Sequence, residues 1–247
     1  MVSLRFALPM LGAVSVLFSA CSGNPPSEAD SSEAIAPGAE ASSPETGGIA
    51  PQSVSKMAAA PAGPISCAAD IGEAAASKLA EQCRAVSPAT RPPCNVANSC
   101  AMIRNEVARG CAILGEDAAK TEGCSLDPVS REAAADMVMR YYSAINARDY
   151  ASAYALWGPD GGTSGKTLTA FSEGYAKTRR THVDIGKVSD VEGGAGSIYV
   201  TVPVTVDAEL DDGRRQRFTG SYALRQINRG MGISQGWHIE NAKLRPA

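Results

Sequence analysis

Three groups of residues have types and spacings that could do chemistry. The stretch GPDGGTSGKT (Gly158 to Thr167) ends as a phosphate-binding loop does. Such a loop also needs a glycine where Asp160 stands. It needs a buried strand before it and a helix after it whose N-terminal N–H groups receive the phosphates. Here a helical pattern comes before it, so the stretch reads as a connection between helices and not as a nucleotide site. The second group could move protons: Tyr142, the pair His182 and Asp184, and the pair His238 and Glu240. Strand alternation gives the inner face to Val183 and Ile185, which turns His182 and Asp184 outward. His238 and Glu240 alternate in the same way with Trp237 and Ile239. Tyr142 lies on an apolar helical stripe and reads as core with its hydroxyl at the rim. There is no G-x-S-x-G, and neither histidine has a serine partner, so no catalytic residue is assigned.

The third group is six cysteines: Cys67, Cys83, Cys94, Cys100, Cys111 and Cys124. A cluster this dense in an exported chain reads as a disulfide framework. Zinc fits poorly, because no C-x-x-C occurs and both histidines lie outside the cluster. No metal and no other cofactor is expected.

Export is read from residues 1–20, MVSLRFALPMLGAVSVLFSA, where Arg5 precedes an apolar run too short to span a membrane. The run ends in LFSAC. This resembles a bacterial lipoprotein signal, with Phe18 where Leu is usual. The resemblance implies that Cys21 is lipidated, with palmitate among its acyl chains, and becomes the new N-terminus. More than one chain per residue is what stable attachment requires. Ser22 in place of Asp implies outer-membrane sorting and a location in the cell envelope, facing the periplasm.

Residues 21–66 then form a tether of Ala, Pro, Ser, Gly and Glu without an aromatic residue, too poor in apolar surface to offset its ordering entropy. Flexible-chain scaling gives it a span of about 35–40 Å. Its acids (Glu28, Asp30, Glu33, Glu40, Glu45) outnumber Lys56. Their net of −4, together with Arg5, accounts for the net charge of −3 and leaves the folded remainder neutral. A neutral body gives no reason to expect nucleic acid as a partner.

Residues 67–126 read as a disulfide-rich helical module. ADIGEAAASKLAEQC places Ile71, Ala75, Leu79 and Cys83 at helical spacing, prolines break the chain, and SCAMIRNEVARGCAIL forms a second helix capped by Ser99. Cys100 and Cys111 share a face of that helix about 16 Å apart and cannot pair. Antiparallel helices would favour Cys83–Cys100 and Cys67–Cys111. Six cysteines allow fifteen pairings, so the connectivity stays open.

Residues 127–247 read as an α+β domain. REAAADMVMRYYSAIN sets Ala134, Met137, Val138, Tyr141, Tyr142 and Ile145 on one stripe; the chain breaks at NARDY, and TLTAFSEGYAKT makes a further short helix. SIYVTVPVTVDAEL alternates strictly, DDG supplies a hairpin turn, RQRFTGSYALRQI returns, and GWHIENAKL closes the sheet. The expected fold class is thus α+β: a curved antiparallel sheet packed by helices, preceded by the disulfide module and the tether.

YYSAINARDYASAYALW, FSEGYAKT and the long strands resemble the nuclear transport factor 2-like superfamily, whose fold is cone-shaped, over roughly half the chain. That resemblance implies either a binding domain or, alternatively, a small-molecule isomerase, cyclase or dehydratase in the same cone; fold alone does not choose. Helix stripes and strand alternation turn Tyr142, Trp157, Phe171, Tyr175, Phe218, Tyr222 and Trp237 toward one interior. That interior is expected to be a partly open apolar pocket with tyrosine hydroxyls as handles. Seven arginines (Arg179, Arg180, Arg214, Arg215, Arg217, Arg225, Arg229) gather near strand ends and read as a solvated face. The expectation is a membrane-anchored lipoprotein with a noncatalytic binding cone, its partners the membrane and an apolar small molecule or envelope protein.

Overall fold

Five helices begin where a short polar side chain can take up a free backbone N–H. In the computed structural model, which describes residues 63–87, 93–232 and 236–247, Ser66, Ser99, Ser130, Asp149 and Thr167 accept from Ala69, Met102, Ala133, Ser152 and Ala170 respectively. These caps open α1 (Cys67–Ile71), α3 (Cys100–Leu114), α4 (Arg131–Asn146), α5 (Tyr150–Ala155) and α6 (Leu168–Tyr175). The helix α2 (Glu73–Val86) follows α1 after a break at Gly72, whose φ of 84° is open to glycine. Sequence spacing read α1 and α2 as one helix with Ile71, Ala75, Leu79 and Cys83 on one stripe. The break rotates the stripe, so Ala76, Ala80, Cys83 and Val86 are buried while Ile71 and Ala75 are exposed. The leader, Cys21 and residues 22–62 of the tether lie outside the described residues, while its last residues are described, with Ser66 capping α1. Among the described residues no helix is long and apolar enough to cross a membrane.

The six cysteines pair as Cys67–Cys100, Cys83–Cys94 and Cys111–Cys124. This corrects the pairing that antiparallel helices would favour. Cys67 at the start of α1 meets Cys100 at the start of α3, and Val86 at the end of α2 meets Gly110 near the end of α3. So α2 and α3 run side by side in the same direction. The chain between Ser87 and Ser99 is long enough to return along the length of α2, at ~3.3 Å per extended residue. A Cβ at Gly110 would lie 2.4 Å from the Val86 carbonyl oxygen, so only glycine allows this approach. Among the described residues no group of His, Cys, Asp and Glu could hold a metal.

The rest of the chain is an antiparallel sheet with helices on one face. The strands β1 (Thr178–Ile185), β3 (Ser197–Leu210), β4 (Arg215–Ile227) and β5 (His238–Pro246) lie in the order β1-β3-β4-β5, and the short β2 (Glu192–Gly194) also pairs with β3. Alternation decides the faces: Val200, Val202, Val204 and Val206 of β3, Tyr222 and Leu224 of β4 and Ile239 of β5 are buried under α4, α5 and α6. Each such aliphatic side chain contributes roughly 1.5–3 kcal/mol by leaving water. The register shifts between Thr178 and Arg180 and between Ala223 and Leu224. Such irregularities bend strands, and the sheet curves over its helices.

The disulfide module is fastened to the helical layer through α3. Ala101 belongs to the sheet domain's core. Ser99, while capping α3, also bonds Asp149; that buried carboxylate accepts from the Ser152 N–H at 3.0 Å and the Ser152 hydroxyl at 2.7 Å. One carboxylate thereby ties the start of α3 to the start of α5. Ile65 N–H adds a bond to the Ala147 carbonyl at 2.9 Å.

Candidate functional site

The aromatic residues singled out in the sequence do converge. Tyr142, Phe171, Tyr222 and Trp237 are buried, and Trp157, Tyr175 and Phe218 pack against them. They meet as a core. Tyr141, which the sequence placed on the stripe but not in the pocket, stands at the centre, with ring centroids 5.2 Å from Tyr142, 6.0 Å from Tyr222 and 6.4 Å from both Trp157 and Phe171. The hydroxyls are taken up in pairs: Tyr142 with Tyr222 at 2.6 Å and Tyr141 with Tyr175 at 2.7 Å. Burial raises all four phenols above the ordinary tyrosine range. At neutral pH these groups stay protonated and bonded to one another. Tyr142 also lines a cleft of about 450 Å³ between α4 and β1, with Asn146, Arg180 and His182. Asn146 there bonds both backbone groups of Thr181 and closes part of the β1 edge.

The polar candidates lie away from that core. His182 and Asp184 are exposed on the outer sheet face, 3.3 Å apart. His238 is half-buried; desolvation, with Arg225 nearby, lowers its pKa, against the pull of Glu240 at 3.8 Å. The arginine face is largely neutralised: Arg217 forks onto Asp207 at 2.7 and 2.8 Å, Arg179 meets Glu209, Arg214 meets Asp212, and Arg229 meets Asp127. GPDGGTSGKT connects α5 and α6, so a helix and not a strand leads into it. The loop folds over Tyr154, whose hydroxyl sits 2.6 and 2.7 Å from the Asp160 and Lys166 carbonyl oxygens and shares its one proton between them. A Cβ on Gly161 would fall 2.0 Å from that ring.

A different cleft, of about 290 Å³, opens where the disulfide module meets the sheet domain. Its floor is α4, which presents Ala133, Asp136 and Arg140 one helical turn apart. One wall is α3, with Arg104, Asn105, Val107 and Ala108; the facing wall is the segment Gly123–Pro128, held to α3 by Cys111–Cys124. Leu156 and Trp237 reach it from the core. Arg140 is only 7% exposed; its Nε donates to Asp136 at 2.8 Å and its Nη1 to the Asn105 side-chain oxygen. Burial lowers its pKa, and Asp136 opposes that shift. Arg109 is held by Glu106 at 2.8 Å. Burial disfavours the Glu106 carboxylate, but bonds from Arg109 and Ser87 outweigh this and keep it below the usual range. Arg104 has no ion pair among the described residues. Trp237 buries its Nε1 without a hydrogen-bond partner among the described residues.

Sequence reasoning missed this cleft. One signal was available: Arg140 interrupts the apolar run MVMRYY, flanked by residues that the helical stripe buries. A charge in that position must find partners inside the protein, and Asp136 lies four residues before it.

No family model matches the chain, and no curated protein matches it. Similar solved structures include a candidate aromatic ring hydroxylase from Novosphingobium aromaticivorans, at 17% identity and a TM-score of 0.36, over 48% of this chain and 93% of that one. A candidate scytalone dehydratase from the same organism is similar at 14% identity and a TM-score of 0.36, over 47% and 84%. A candidate dehydratase of the nuclear transport factor 2-like family from Streptomyces avermitilis is similar at 16% identity and a TM-score of 0.33, over 47% and 95%.

Proposed function

We propose that this chain is a lipid-anchored protein of the cell envelope, facing the periplasm from the outer membrane, whose sheet domain binds a ligand or partner protein without transforming it. Cys21 holds the membrane, residues 22–66 set the reach, and the body built from residues 67–247 does the binding. The anchoring half of the reading rests on LFSAC and the leader before it. The observation that carries the binding half is the closure of the cone's interior: its tyrosines bond one another, and desolvation keeps them protonated. A phenol kept protonated in this way cannot act as a general base near neutral pH. The buried carboxylate nearest this layer, Asp149, is fully engaged as a helix cap. Binding is assigned instead to the cleft at the module junction, where charge and apolar surface meet.

Cys21→Ser tests the anchor. The variant should move from the membrane fraction to the soluble envelope fraction, and unchanged fractionation would overturn lipidation. The noncatalytic half is tested by incubating the protein with a bound small molecule and recovering that molecule. Unaltered recovery is expected, whereas a product that disappears in Tyr142→Phe would make the cone an enzyme.

A further inference from the structure

The junction cleft has more cationic than anionic character left over after its internal pairs are formed. Asp136 takes one edge of Arg140, and Glu106 takes Arg109. Arg104 remains, facing the same cleft without an ion pair among the described residues. Arg140 keeps a further donor: its Nε and Nη1 are engaged, and its Nη2 makes no hydrogen bond among the described residues. A guanidinium offers its N–H groups in a planar fork that matches a carboxylate, and a charge-assisted bond of this kind is strongest where water is scarce. At 7% exposure Arg140 is in such a place.

Much of the remaining lining is apolar, beside the polar Gln82 and Ser125. Leu79, Val107, Leu126, Leu156 and Trp237 surround the charged groups. At about 290 Å³ the cleft stands at the small end of ligand sites, which start near ~300 Å³. That volume suits one ring or a short chain. One uncompensated charge, Arg104, calls for a monoanion; a dianion would leave a negative charge without a partner.

We infer that this cleft binds small organic monocarboxylates with an apolar body, the carboxylate on Arg140 and Arg104 and the body against Trp237 and Leu126. The inference rests on the binding reading above and adds the ligand's class and place. The carboxylate displaces water from the Arg140 fork without breaking the Asp136 and Asn105 bonds that hold it. The wall made by Gly123–Pro128 sets the length that fits.

The experiment titrates the full-length protein with sodium benzoate, benzyl alcohol and benzylammonium chloride, following heat and the Trp237 indole N–H resonance. Benzoate should saturate at one per chain with a dissociation constant near or below about 1 mM, and the alcohol and amine should bind at least about tenfold more weakly. Arg104→Gln, a partly exposed site, should weaken benzoate about three- to tenfold with an unchanged melting temperature. Arg180→Gln, on the outer sheet face, should leave the affinity unchanged. Equal binding of benzoate and benzyl alcohol, or an unaltered affinity in Arg104→Gln, would overturn the carboxylate class while a binding domain stood. Conversion of benzoate to another compound would overturn the noncatalytic reading itself. Absence of saturable benzoate binding up to about tenfold above 1 mM would overturn the proposed site.

Discussion

The sheet domain's interior and the junction cleft share a wall, since Trp237 and Leu156 belong to both, yet they are built on opposite terms. In the interior Tyr141, Tyr142, Tyr175 and Tyr222 bond one another in pairs, and rings fill the space between helices and sheet. In the cleft, charges are paired only in part, and space remains between the α3 wall and the Gly123–Pro128 wall. The lesson is that converging aromatic residues do not by themselves make a pocket. Rings pack against rings and exclude water, while an ion pair at a seam between packed elements resists filling, because an apolar plug would strand the charge.

The sharpest way to break the comparison is to empty the interior. Tyr141→Ala removes the ring at its centre and should cost about 3–5 kcal/mol in chemical denaturation, with benzoate affinity of the folded protein unchanged. A loss below about 1 kcal/mol would mean that the interior is not close-packed. The next largest effect separates the regions from the other side. Replacing Cys111 and Cys124 together by Ser opens a loop with a sequence separation of 13 and should cost about 2–3 kcal/mol. It should also weaken benzoate, because the Gly123–Pro128 wall is no longer tied to α3. Unchanged affinity would show that the wall holds its place without the bridge.

A smaller perturbation probes the satisfied hydroxyls. Tyr222→Phe leaves the ring and removes one partner of a buried pair, stranding the Tyr142 hydroxyl. It should cost about 1–2 kcal/mol, and benzoate affinity should not change. The smallest effect lies on β5, one residue past the shared tryptophan. Desolvation lowers the His238 pKa in the folded state, so between the folded and the unfolded pKa the unfolded chain binds more protons. Its contribution therefore destabilises as pH falls through the unfolded value of about 6.5 and levels off below the folded one. Urea midpoints measured across that window should decline less in His238→Gln than in the parent, and identical slopes would assign the window to other groups.

Much of the architecture was legible because it depends on local spacing. The alternation from Ile198 to Val206, the stripe from Ala134 to Ile145, the caps at Ser99 and the helix break at NARDY each follow from side-chain period and backbone bonding along the chain. The positions of His182 and Asp184 on the outer face were legible for the same reason. The helix stripe of residues 71–83 was misread because Gly72 resets the helical phase, and a single residue at positive φ does this without disturbing composition.

What the sequence alone determined is the inventory: six cysteines in one module, an α+β domain after it, aromatic residues facing one interior, and no strand before GPDGGTSGKT. What only the tertiary structure decided is who meets whom. Sequence leaves the pairing of the six cysteines open, and the parallel course of α2 and α3 selects one. Whether seven rings leave a pocket depends on the volume between a curved sheet and three helices, which no periodicity encodes. The junction cleft depends on Asn105 of one module meeting Arg140 of the other, thirty-five residues apart in the chain. Local physics sets each helix and strand, but long-range contacts are fixed by how all the buried surfaces fit at once, and that fit is a property of the assembled fold.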